Sequence, residues 1–137
     1  MNEQSDETIT VDIFGTPPTV NRIWRTSQGR TYLSGEAKAF IGLVALGAAG
    51  KKAPKTWKYC DVSIVVFPRD RRGDVDNRIK AVLDGLTKCG FWEDDACVAR
   101  VSCQFGEQDD MGRTRVIIRE AKSKYPFISS HESNNAQ

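Results

Sequence analysis

Histidine is almost missing from this chain. The single one in 137 residues, His131, lies in a polar stretch near the C-terminus. The four cysteines (Cys60, Cys89, Cys97 and Cys103) contain no CxxC pair, so neither residue type matches a zinc template. Cys60, Cys97 and Cys103 fall on apolar faces of expected strands, where a free thiol behaves as a small hydrophobe. Long hydrophobic runs are lacking too. The most apolar stretch, residues 39–49, is far shorter than the roughly 20 residues a membrane helix needs. The first dozen residues carry acids and no basic segment, which does not fit a secretory signal, so cytoplasmic residence is expected. Internal repeats are absent.

Overall charge is also slight, at +2, but it is unevenly spread. Residues 1–12 hold four acids and no base, whereas residues 13–60 hold eight bases against one acid, Glu36. Bases continue through Arg69, Arg71, Arg72, Arg78 and Lys80. With 39% hydrophobic and 28% charged residues, the composition is that of an ordinary globular domain long enough to bury a core without staples.

What stands out is the run from Asp74 to Asp95, DVDNRIKAVLDGLTKCGFWEDD, with five aspartates. Asp74 and Asp76 straddle Val75 just ahead of a helical pattern. Residues i and i+2 of an extended chain share a side, so both carboxylates can face one cavity. Asp76 is also placed to sit near the helix N-cap. Lys80, one turn on, projects from about the same face, while Asp84 is two turns on and takes a supporting place, as does Asn77. The pair Asp94-Asp95 follows the helix. Neighbours on a strand face opposite ways, so one of the two joins the cluster, and periodicity does not say which. Carboxylates crowded together disfavour ionisation unless a cation joins them, and hard oxygen ligands suit Mg²⁺ or Mn²⁺. Three carboxylates, a cation and a lysine are the parts of a metal-dependent phosphodiesterase. The surrounding bases suit a polyanionic substrate.

Along the chain, residues 1–7 are polar and expected to be flexible. Thr8 to Phe14 alternates as a strand, Pro17-Pro18 stops it, and residues 19–33 read as a long loop. Ser34 can cap a helix with apolar positions Ala37, Phe40, Ile41, Val44, Ala45 and Ala48. Leu43 and Leu46 widen that stripe, which suits a helix sandwiched in the core or set against a partner subunit. Trp57 to Phe67 reads as a strand, and about Asn77 to Lys88 as a second helix ending at Gly90. Residues 97–105 alternate as a strand, EQDDMG reads as a loose hairpin turn, and a last strand follows, with Thr114, Val116 and Ile118 inward. The order β-α-β-α-β-β implies an α+β two-layer sandwich, one mixed sheet with two main helices, as a single domain over residues 8–120. Residues 121–137 are polar and expected to be a disordered tail.

The segment GDVDNRIKAVLDGLTKCGFWEDDACV resembles the RusA-type Holliday junction resolvases. PPTVNRIWRTSQGRTYLS, residues 17–34, resembles the same family's N-terminal segment, and the two cover about a third of the chain. The resemblance implies a Mg²⁺-dependent homodimer that cuts four-way DNA junctions symmetrically in recombination and repair. It assigns metal binding to Asp74, Asp76 and Asp95, choosing Asp95 over Asp94, and makes Lys80 the catalytic lysine. Arg22 and Arg25 match the N-terminal motif, as do Asn21 and Trp24, and with Arg71, Arg72 and Arg78 the arginines are candidate DNA contacts. Some relatives carry an arginine directly before the DxD, where this chain has Gly73. A junction-binding protein without cleavage is the alternative, and an enzyme acting on small nucleotides fits the broad basic surround less well.

Overall fold

A computed structural model describes residues 7–70 and 73–125. The expected flexible start (apart from Glu7) and most of the expected disordered tail lie outside the described residues. No helix among the described residues is long and apolar enough to cross a membrane.

The organising element is strand β4, Tyr59–Phe67, whose alternate residues Cys60, Val62, Ile64 and Val66 are all buried. Such a period-2 pattern of β-branched residues buries one face of a sheet. β4 lies between β5, Val98–Phe105, and β6, Arg113–Ala121, and β6 pairs in turn with β1, Thr8–Ile13, giving the order β1-β6-β4-β5. Register brings Val62 beside Ile118 and Ile64 beside Val116, so the inner residues of the central strands form one apolar face. The opposite face is half-exposed and carries the Arg115–Asp12 pair at 2.8 Å.

Helices α1, Gly35–Gly47, and α2, Ile79–Lys88, cover the apolar face. α2 buries Ala81, Val82, Gly85 and Leu86. Gly85 lets the helices close up: a Cβ there would stand 2.8 Å from Cγ2 of Val44 on α1. α1 begins at the expected cap, with Ser34 Oγ accepting from the Ala37 amide at 3.0 Å. The same hydroxyl donates to the Arg22 carbonyl at 2.6 Å. Ser34→Ala should therefore cost about 2 kcal/mol, a lost cap together with a lost tertiary hydrogen bond, measurable by urea unfolding.

Several features differ from the sequence reading. Residues 19–33 are no simple loop: a 3₁₀ turn, Val20–Arg22, leads into a separate hairpin of β2, Trp24–Ser27, and β3, Arg30–Leu33. Its turn residues Gln28 and Gly29 have φ of 53° and 77°, the paired positive values of a type I′ turn. Residues 106–112 are no hairpin turn, because β5 and β6 flank β4 instead of pairing with each other. That segment crosses the end of β4, held by Gly106 N–H to Val66 O and Asp109 N–H to Pro68 O. α2 starts at Ile79 after a 3₁₀ turn, Asp76–Arg78, and Asp76 makes no capping hydrogen bond. Finally, α1 is not sandwiched in the core, one of the two arrangements expected for it: it buries only Ala37, Phe40 and Val44 within its length, and Leu46 is 75% exposed.

Among the cysteines, Cys60 is buried and Cys97 lies in a 3₁₀ turn before β5 instead of on the strand. The Cys60 thiol is pushed well above its ordinary range by its hydrogen bond with Cys97 and by burial, in keeping with an inert packing role.

Candidate functional site

Past Phe67 the chain reaches Pro68, which has no N–H to extend the ladder, and turns away from the sheet. It returns at Gly73, whose φ of 91° is a backbone state that glycine adopts without penalty. A Cβ at Gly73 would lie 2.8 Å from Arg78 Nη2, so this glycine leaves room for the guanidinium. Arg78 Nη1 donates to the Pro17 carbonyl at 2.8 Å, which ties the N-terminal PPTVNR segment to the turn bearing the first two acids.

Between these segments lies a polar groove of about 480 Å³, lined in part by Thr16, Arg22, Arg69, Asp70, Arg78 and Asp110. An adjoining hollow of about 430 Å³ shares Arg22, Asp70 and Arg78 and reaches Gly73. Arg22 is loosely paired with Glu36 at 3.9 Å. Of the arginines singled out as DNA contacts, Arg22 and Arg78 thus line this groove. Arg25 lies on the β2–β3 hairpin instead, and Arg71 and Arg72 lie outside the described residues. Arg69 and Thr16 were not singled out from the sequence. Arg69 was counted only among the run of bases and Thr16 only stands beside the prolines, and the crossing of residues 106–112 over the end of β4 is what encloses them.

Asp74 and Asp76 are exposed and follow Gly73, which borders the second hollow, with Asp76 in the 3₁₀ turn and Asn77 half-buried next to it. Lys80 is exposed and turns along α2 to meet Asp84, Nζ to Oδ1 3.2 Å. Asp94 and Asp95 sit elsewhere. The sequence reading expected one of them to meet Asp74 and Asp76 if their strand lay beside β4. The strand does lie there, but in parallel, with Cys60 opposite Val98. That register carries Asp94-Asp95 to the start of β4, while Asp74 and Asp76 follow its end. Among the described residues, no three His, Cys, Asp or Glu side chains lie close enough to hold one metal ion.

The acids of one chain therefore form two groups. Asp74 and Asp76 stand at the head of α2. Asp95 stands near Asp84, eight residues and about 12 Å of helix further on. Asp94 is occupied in capping the 3₁₀ turn Asp95–Cys97, accepting from the Ala96 amide at 3.1 Å. Asp95 is held above the usual carboxylate range by partial burial, by its hydrogen bond with Asp94, and by the like charges of Asp94 and Asp84, with Lys80 opposing. Asp84, given only a supporting place from its helical phase, is thus part of the Asp95 environment.

The family model for endodeoxyribonuclease RusA matches residues 15–119, which span the groove, the hairpin and Asp74, Asp76, Asp84, Asp94 and Asp95. The chain belongs to the RusA family. The crossover junction endodeoxyribonuclease RusA of Escherichia coli K12 is 40% identical over 91 residues, covering 60% of this chain and 70% of that protein. The corresponding protein of Enterobacteria phage 82 is 37% identical over 91 residues, with the same coverage. That of Shigella sonnei is 40% identical over 89 residues. In RusA terms the fold is an α+β sandwich in which the DxD turn and the later aspartate pair occupy opposite ends of the central strand.

Proposed function

We propose that this chain is a cytoplasmic, Mg²⁺-dependent endonuclease that resolves four-way DNA junctions by paired phosphodiester cuts, acting as a homodimer in recombination and repair. The observation that carries this reading is an arginine-lined groove bounded by Arg78 and Gly73, the residues that flank the DxD acids, in a member of a family whose relatives are named crossover junction endodeoxyribonucleases.

The donor set fits a hard divalent cation. Asp74, Asp76 and Asp95 are oxygen ligands, and the crowding that raises Asp95 is what a cation relieves. When bound, Mg²⁺ supplies positive charge to the phosphate oxygens and acidifies a water. The chain's own residues supply the rest. Arg22 and Arg78 bind backbone phosphates in the groove and fix the register of the strand. Lys80 exchanges its contact with Asp84 for the scissile phosphate, where its charge offsets the negative charge on the non-bridging oxygens of the pentacoordinate transition state.

Because one chain separates Asp74 and Asp76 from Asp95, the proposed ligand set is completed across a dimer, the DxD of one subunit meeting Asp95 of the other. A two-fold dimer then carries two equivalent sites, matching the two cuts that a two-fold junction needs.

The test is a labelled four-way junction and a linear duplex of the same sequence, incubated with Mg²⁺ or EDTA. Paired cuts restricted to the junction and requiring Mg²⁺ are expected. Lys80→Ala should slow them by about 10²-fold or more while changing junction affinity little. Equal loss of binding and cleavage would make Lys80 a phosphate anchor. Tight binding without any cleavage by the wild-type chain would favour the junction-binding alternative, and neither binding nor cleavage would overturn the proposal.

A further inference from the structure

The β2–β3 hairpin lies outside the main sheet, and its residues from Trp24 to Tyr32 are exposed, with Leu33 half-buried. Its two faces differ. Register places Trp24 opposite Leu33 and Thr26 opposite Thr31 on one side. Trp24 and Leu33 border a small apolar hollow with Ile23, Phe40 and Ile41 and with Ala81 of α2, so this side roots the hairpin on both helices. Backbone and side-chain bonds of Ser34 to Ile23 and Arg22, at 2.8 and 2.6 Å, fix the root further. The other side carries Arg25 opposite Tyr32 and Ser27 opposite Arg30.

That second side is a basic and aromatic surface with no internal use. Residues 24–33, WRTSQGRTYL, contain two arginines and no acid. Among the described residues neither Arg25 nor Arg30 makes an ion pair, and the Tyr32 ring is 46% exposed without an aromatic partner. Arg22, three residues before Arg25, lines the groove, so the positive surface continues from the groove onto the hairpin. A rigid two-stranded ribbon with guanidinium groups flanking an exposed ring suits a strand with charged phosphates and uncovered base faces. Resting on the junction-nuclease reading, the bases of that substrate with uncovered faces away from the arm ends are those at the branch point.

We propose that the hairpin is a DNA-engaging arm: Arg25 and Arg30 hold backbone phosphates leading into the branch point, and Tyr32 stacks on a base there. The arm extends the contact surface beyond the catalytic groove and favours branched over linear DNA.

Photo-crosslinking tests this directly. Junctions carrying 5-iodouracil at the branch point are bound by full-length protein in EDTA and irradiated, and the crosslinked tryptic peptide is identified. A crosslink at Tyr32, in the peptide of residues 31–38, is expected with the junction and not with a linear duplex carrying the same base internally. Tyr32→Phe should retain affinity and crosslinking, since the ring does the stacking, whereas Tyr32→Ala should narrow the preference for junction over duplex by about tenfold. The double change Arg25→Ala, Arg30→Ala should weaken binding and lower the slope of log affinity against log salt by about 2. A wild-type protein that cleaves junctions but shows no crosslink at Tyr32, or an equal one on linear duplex, would overturn the arm and leave the nuclease reading standing. A wild-type protein that does not bind junctions would overturn both.

Discussion

Asp76→Asn is expected to abolish junction cleavage while leaving the fold and junction binding intact. The side chain is exposed and makes no capping hydrogen bond in its 3₁₀ turn, so exchanging a carboxylate for an amide of the same shape costs the structure little. The groove arginines Arg22 and Arg78 are untouched, so the contacts proposed for them with phosphates should persist. What changes is the charge available to a cation. Loss of a residue that only supports a ligand commonly costs about 10–100-fold in metal affinity or activity. A ligand itself should cost more, so the cleavage rate should fall by more than about 100-fold. Rate measurements at saturating protein, with affinity from gel shift in EDTA, separate the two effects. Removing one negative charge from beside the DNA should also leave affinity equal or slightly higher. A variant that loses binding as steeply as cleavage would show that Asp76 holds the turn together, and the catalytic assignment would fail.

Much of this site is legible in the residues alone, because local spacing dictates local geometry. DxD followed by Lys80 one turn later needs no knowledge of the rest of the fold. The alternation in β4 and β6 is equally local, and the inward sets Val62, Ile64, Val116 and Ile118 follow from period 2. What was not legible is pairing. A strand reads the same whether its neighbour runs parallel or antiparallel, so β5 could be recognised without revealing that it carries Asp95 to the far end of β4. The same gap produced the expected hairpin turn at residues 107–112, a segment that in fact crosses over the end of β4. The β2–β3 ribbon was missed for a different reason. Its strands bury almost nothing, so no hydrophobic alternation announces them, and Gln28-Gly29 is a weaker turn signal than Asn-Gly. Asp84 was given a supporting place on helical phase, and the long Lys80 side chain reaches it at 3.2 Å.

Asp95→Asn should raise stability in EDTA and, like Asp76→Asn, destroy cleavage. The sign follows from Asp95 being held above the ordinary carboxylate value of 3.8 by burial and by Asp94 and Asp84. A carboxyl raised in the folded state loses stability as pH climbs through its folded value, because the unfolded chain ionises more readily. Removing the charge removes that loss. The variant should therefore melt higher than wild type near neutral pH, with the gap closing as pH falls below about 4. Added Mg²⁺ should reverse the order, since binding to the folded state stabilises only a protein that keeps the ligand. A structural aspartate would show none of this reversal. The decisive step is to combine the two inactive variants. If each site draws Asp74 and Asp76 from one subunit and Asp95 from the other, a heterodimer of Asp76→Asn with Asp95→Asn has one doubly damaged site and one intact site. It should nick junctions on one strand without completing the paired cut, although both parent homodimers are inert. If each chain built its own site, both sites of the heterodimer would carry a lesion and the mixture would stay inactive. Recovery of single nicks on mixing thus reads out, in one gel, whether the parallel register of β5 distributes the catalytic acids between two subunits.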